Sequence, residues 1–298
     1  MRKTIISALA ASLVWCAPAA FANHDTVLIH AGMLIDGTHS GPKERVTIRI
    51  EGNTITAISN GFQRPQAGET IVDLSSGTLM PGFIDMHTHV TSQIEPGSYM
   101  YRYTQNAADV AYRSVGFAET TLLAGFTTIR DLGDSFNTSI ALRNAINKGQ
   151  ITGPRIYTAG KSLATTGGHA DPSNGHRHGL VETPTPTEGV INGPIEARQA
   201  VRQRYKDGSD LIKITATGGV LSMAASGDNP QFMMDELEAI VATARDYGMR
   251  VAVHAHGKEG MMRAIKAGVD SIEHGTYMDE EVFALMREHN TWHVPTIL

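Results

Sequence analysis

From residue 81 to the end, the chain alternates short apolar runs with longer amphipathic stretches, and this rhythm restricts its fold more than any other feature. The apolar runs lie at 81–90, 125–131, 154–159, 210–214, 250–254, 271–274 and 292–298. Between them, 106–123, 139–148, 194–206, 235–247, 259–267 and 280–289 carry helical periodicity, several closed by glycine. Strands buried on both faces read as near-continuous apolar runs, and strand–helix alternation is the pattern of a parallel sheet. The repeat is uniform, and no glycine-rich dinucleotide fingerprint follows the first strand. An α/β fold of the (β/α)8 TIM-barrel type is therefore expected over 81–298, rather than an open doubly wound sheet. Seven strands are legible and the eighth is not. A barrel missing a stave has two unpaired edges, so the expectation is a piece of a longer chain, or closure by a partner in a homo-oligomer.

Residues 23–80 read differently, as short β-strands punctuated by Asp36-Gly37 and Glu51-Gly52-Asn53. They predict a small β-sandwich, incomplete by itself and built of antiparallel strands. Residues 1–22 have a basic start at Arg2 and Lys3, an apolar core, and Ala20-Phe21-Ala22 as a cleavage site. This is the pattern of a secretory signal peptide, with cleavage expected before Asn23 and a periplasmic or secreted destination. Cys16 is the only cysteine, which excludes thiolate catalysis and cysteine-ligated zinc in the processed chain. A formal charge of -5 without basic clusters gives no nucleic-acid footprint. After the signal, no apolar run is long enough to cross a bilayer, so no membrane association is expected.

Chemistry gathers where the apolar runs end. The first closes with His87-Thr88-His89, and alternation along a strand puts both imidazoles on one side. The fourth carries Lys213 in an apolar setting where lysine is rare. Burial there would lower its pKa, and a neutral amine can take up carbon dioxide as a carbamate. The fifth ends in His254-Ala255-His256 and the sixth in Glu273-His274. A single histidine of this kind is readily a satisfied core residue, but four strands ending in His, Lys, His and His point to a metal centre. Asp85 and Glu273 could orient ligand imidazoles. The long stretch 163–193 holds His169 among glycines, a candidate for touching substrate, whereas His176 and His178 read as solvated loop residues.

These motifs together resemble the amidohydrolase superfamily, in its branch related to imidazolonepropionase, the Xaa-Pro and Xaa-Arg/Lys dipeptidases and ochratoxin-type amidases. The resemblance runs from about Thr26 to Leu298, on Pro-Gly-Phe-Ile-Asp-Met-His-Thr-His (81–89), Thr-Gly-Gly-His (166–169), Ile-Lys-Ile (212–214), Val-His-Ala-His-Gly (253–257) and Ser-Ile-Glu-His-Gly (271–275). It implies two divalent metal ions, zinc first and manganese or cobalt compatible with the ligands. His87 and His89 would bind the more buried ion, His254 and His274 the other, and carboxylated Lys213 would bridge them. His169 and His256 would contact substrate. The implied reaction is hydrolysis of a C–N amide bond in a small molecule, most simply a dipeptide or N-acyl amino acid, by a metal-activated hydroxide. Cyclic-amide hydrolysis, or an inactive metal-binding paralogue, are the alternatives. The aspartate that serves the family as general base after strand eight has no counterpart here, and Asp279 and Glu280, at a helix start, are poor substitutes.

Overall fold

The structure, a computed structural model, describes residues 26–223 and 225–296, which form two compact units divided between Pro81 and Gly82. The expected signal peptide lies outside the described residues. The first unit is one four-stranded sheet of β1 (Thr26–Leu34), β2 (Lys43–Glu51), β3 (Thr54–Asn60) and β4 (Thr70–Leu79), in the order β3-β2-β1-β4. β1–β2 and β2–β3 pair antiparallel, but β4 returns parallel to β1. This corrects the all-antiparallel expectation: Asn60 to Glu69 carry the chain back to the other edge of the sheet, so β4 runs with β1. Among the described residues there is one layer here, not the two of a sandwich. Ala31, Leu34, Val46 and Ile48 are its buried core, while Ile71, Val72 and Leu74 of β4 stay exposed.

The second unit runs β5 (Phe83–Thr88), α1 (Ser98–Thr104), α2 (Ala107–Leu123), β6 (Phe126–Asp131), α3 (Thr138–Asn147), β7 (Arg155–Thr158), α4 (Pro194–Asp207) and β8 (Leu211–Thr215). It continues through α5 (Met234–Asp246), β9 (Arg250–Ala255), α6 (Lys258–Ala267), β10 (Ser271–His274), α7 (Glu280–His289) and β11 (Trp292–Val294). All pairings are parallel, in a three-stranded sheet β5-β6-β7 and a four-stranded sheet β8-β9-β10-β11. The seven strands and their helices stand where the apolar rhythm places them; α1 was not anticipated. Among the described residues nothing pairs β5 with β11, so the barrel is not closed.

The two sheets meet beyond β7. Asp210 donates its amide to the Thr158 carbonyl (2.8 Å). Leu163 donates to the Lys213 carbonyl (2.8 Å) and accepts from the Thr215 amide (3.0 Å), a bridge parallel to β8. Alternation then sorts the strand residues. Ile212, Ile214, Val251, Val253 and Ile272 face the helices and share the main core with Ala197, Val201, Leu237, Ile240, Met261 and Ile265. Leu211 and Ala252 face inward, with Leu132 and Ala159, in a separate apolar layer. Lys213 and His254 follow them by two residues on the same side, at the C-terminal ends where barrel active sites form.

Candidate metal centre

The strand ends and the long loop after β7 bring six imidazoles together. His87 lies 4.8 Å from His274 and 5.5 Å from His89, between ring centroids. His274 lies 4.6 Å from His254 and 5.0 Å from His256, and His254 and His256 are 4.6 Å apart. His169 stacks on His254 at 4.2 Å. Ring nitrogens of His254, His256 and His274 lie within 4.8 Å of one another. Lys213 is 3 % exposed, and among the described residues no carboxylate makes an ion pair with it. Every expected site residue is thus in one place, with His256 nearer the ligand set than sequence suggested.

His274 reaches this place by an unusual backbone. Ser271 and Glu273 face inward, so plain alternation would turn His274 outward with Ile272. Instead His274 has φ +69, in the left-handed region a β-carbon disfavours, and two consecutive side chains turn toward the site. Gly219 is required for a different reason: a β-carbon there would come within 2.5 Å of Cε1 of His169. The close approach of this backbone seats His169 against His254.

Five of the six rings, all but that of His169, are oriented through one nitrogen. His89 donates Nδ1–H to the Gly133 carbonyl (2.9 Å), and His87 donates Nδ1–H to the Glu273 carboxylate (2.9 Å), which leaves both Nε2 lone pairs open. His254 uses the opposite atom, donating Nε2–H to the Gly218 carbonyl (2.7 Å) and keeping Nδ1 free. Nδ1 of His256 pairs with Thr276 Oγ1 (2.7 Å) and that of His274 with Thr296 Oγ1 (2.8 Å). Metal-ligating histidines are held in this way, one nitrogen to a carbonyl or carboxylate and the other to the ion. Glu273 performs the expected orienting role. Asp85 does not, since it accepts the His87 backbone amide rather than its ring.

The electrostatics keep these rings neutral. Burial, then the neighbouring His169 and the Lys213 charge, hold His254 far below the usual histidine range. Burial and Lys213 lower His169 to about 4. Burial, then His87 and Lys213, take His274 to about 3. His89 keeps an accessible face; the protein packed around the rest of it, then Lys213, lower it to about 4. His87 is lowered by burial against the opposing pull of Glu273. Lys213 itself is brought down by burial from 10.5 to about 8, although Glu273 and Asp131 pull the other way. Burial works to raise Glu273, but His87, Arg130 and Lys213 together hold it below the usual range.

Other expectations are corrected or refined. His176 is not a solvated ring: both its nitrogens are buried without a partner among the described residues, and it packs on Tyr103 at 5.2 Å. His178 is exposed. Asp279 caps α7, accepting from the Val282 amide, and pairs with Lys258, which removes it from the site. Arg130 and Asp131 went unnoticed in the sequence. The available signal was two charges closing an otherwise apolar strand, where charged residues are rarely buried unless partnered.

The family model for the amidohydrolase family matches residues 78–298. The chain belongs to the amidohydrolase family. Among curated proteins it resembles ochratoxinase of Aspergillus niger, 34% identical over a 288-residue alignment that covers 90% of this chain and 58% of the relative. The chain thus spans little more than half the length of that relative. Among solved amidohydrolase structures, a Xaa-Pro dipeptidase with methionine in its active site is 51% identical, with a TM-score of 0.85 over 91% of this chain and 67% of that one. A prolidase complexed with N-methylphosphonate-L-proline is 32% identical, with a TM-score of 0.80 over 91% and 66%.

Proposed function

We propose that this chain carries the metal centre of an amidohydrolase that cleaves the C–N bond of a dipeptide or N-acyl amino acid. The observation that carries the reading is the set of neutral imidazoles, five of them tethered through one nitrogen, gathered about Lys213 at the ends of parallel strands. The donor set fits divalent ions: nitrogen lone pairs are held open and no sulfur is present, which suits zinc and is compatible with manganese or cobalt. His87 and His89 would hold one ion, His254 and His274 a second, and Lys213 as a carbamate would serve both. Ions held there would supply the Lewis acidity that activates water and polarises an amide carbonyl.

The chain's own groups do the rest. A Lys213 amine titrating near 8 is neutral in an appreciable fraction at neutral pH. Its nitrogen can bond to carbon dioxide, releasing one proton and leaving an anionic carbamate. His169, whose Nδ1 is buried without a partner among the described residues, and His256 would hydrogen-bond a substrate carbonyl or carboxylate. The loop after β8 presents Val220, Leu221 and Met223, all exposed, just beyond the Gly219 that abuts His169. An apolar substrate side chain suits that surface, and the methionine held by the Xaa-Pro dipeptidase relative supports this choice. Residues 1–22 support a periplasmic or secreted site of action.

The test is hydrolysis by the whole protein, loaded with zinc or manganese, of apolar dipeptides, N-acyl amino acids and lactams. Turnover of the linear amides that a chelator abolishes is expected; no turnover with either metal sinks the reading, and activity on lactams alone moves it to cyclic amides. A second reading rests on the proximity of His254, His256 and His274: one ion held by three imidazoles. Two metals per chain, lost in part on His87→Ala, exclude it; one metal, indifferent to His87→Ala, establishes it.

A further inference from the structure

β6 supplies no histidine to the site, yet its last two residues touch the supports of both imidazoles at the end of β5, His87 and His89. Arg130 sends Nε–H to the Met86 carbonyl (2.6 Å), one residue before His87. Its guanidinium also reaches Glu273 Oε1 (2.7 Å) and Ser271 Oγ (3.2 Å), and Ser271 donates to the same Oε1 (2.6 Å). With Oε1 so occupied, Oε2 is the oxygen left to accept from His87 Nδ1 (2.9 Å). Glu273 is fully buried, so it has no water to turn toward. The rigid guanidinium thus holds Glu273 Oε1, directly and through Ser271, while its Nε–H holds the backbone beside His87, a division among fixed donors that a single ammonium charge would not make.

Asp131 does the equivalent for His89 through backbone alone. Fully buried, it accepts from the Val90 amide with Oδ2 (2.7 Å) and from the Gly133 amide with Oδ1 (3.3 Å). Val90 is the residue after His89, and Gly133 carries the carbonyl that takes His89 Nδ1–H (2.9 Å). One carboxylate thereby ties together the root of the ring and the acceptor that orients it. Gly133 has φ +146, and a β-carbon there would strike Ser162 Oγ at 2.5 Å, so the loop has little freedom to supply that carbonyl otherwise.

We infer that Arg130 and Asp131 are a pair of positioning residues, each setting the tautomer and ring orientation of one histidine at the end of β5: Arg130 that of His87 through Glu273, and Asp131 that of His89 through Val90 and Gly133. The inference rests on the proposed metal centre for its purpose, but the orientation exists without any ion. Neither residue touches substrate; each acts through another group.

The experiment is long-range imidazole 15N NMR on the metal-free, histidine-labelled whole protein, which reads the tautomer of each ring, followed by zinc titration against a chromophoric chelator. In the wild type, His87 and His89 are both expected as Nδ1–H forms. Asp131→Asn presents an NH2 group to one of the two amides and should leave His89 in mixed tautomers while His87 is unchanged; Arg130→Gln should do the reverse. Each variant should weaken zinc binding by about 10–100-fold, the usual effect of losing a partner that orients a ligand. An Nε2–H form of either ring in the wild type overturns the inference, as do single tautomers that persist in both variants, or both rings responding alike to either one. Should Asp131→Asn not fold, the wild-type spectrum and Arg130→Gln decide. A wild type that binds no zinc refutes the metal reading, and the tautomers still decide the positioning roles.

Discussion

Lys213 and His274 show what single residues give up to build this site. The lysine is buried with no counter-ion in contact among the described residues, and its pKa near 8 against 10.5 unfolded means that folding is penalised wherever the amine is charged. With the folded pKa depressed, the unfolded chain binds more protons between pH 8 and 10.5, so stability rises with pH across that window. Below pH 8 the penalty is present in full, at most about 3 kcal/mol for a shift of this size. Denaturant midpoints of the metal-free protein should therefore climb from pH 8 to 10, and Lys213→Met should remove that slope while raising stability at pH 7. A flat wild-type profile identical to the variant's would show that the amine is not buried as a cation. His274 carries a backbone penalty instead. Replacing it by glycine or alanine removes the same ring, but the glycine variant should be more stable by about 1 kcal/mol, because only alanine keeps a β-carbon in the left-handed region. Equal melting of the two would indicate relaxed backbone at 274.

At the scale of elements, the loop that delivers His169 depends on α4. Arg204 is fully buried, and its guanidinium donates to the carbonyls of Lys161, Pro186 and Thr187, on both flanks of the 163–185 excursion. Arg204→Met leaves these carbonyls unanswered, at about 1–3 kcal/mol for each that water does not reach. Hydrogen exchange should accelerate across 163–190 well before the core strands respond; unchanged protection of that segment would remove the role. This anchoring was not legible in the sequence, where Arg204 is one of several charges on a helix. What could be read were the elements themselves, because parallel strands and amphipathic helices leave local patterns of apolar spacing. The clustering of His87, His89, Lys213, His254 and His274 was readable for the same reason, since they fall at or beside strand ends. The bonds made by Arg130 and Asp131, the reversed β4 and the buried His176 depend on contacts between distant segments. Spacing along the chain carries no trace of them.

For the molecule as a whole, the crowd of neutral imidazoles sets the response to acid. His89 and His169 are lowered to about 4 and His274 to about 3, so between pH 6.5 and these values the unfolded chain takes up protons that the folded one refuses. The share of stability governed by these rings is complete above pH 6.5 and is lost as pH falls through that interval. Metal-free protein should melt progressively lower from pH 6.5 to 4, and zinc at about 100 times its dissociation constant should restore about 2.7 kcal/mol at neutral pH. Thermal scans with and without zinc check both; a melting point indifferent to acid and to metal would contradict the neutral cluster. The site also straddles a seam. His87 and His89 stand on the three-stranded sheet, Lys213, His254 and His274 on the four-stranded one, and the two sheets meet along the short junction of Asp210 and Leu163. An ion shared across that line would act as a staple between half-barrels, so that loading the centre and assembling the fold become one event.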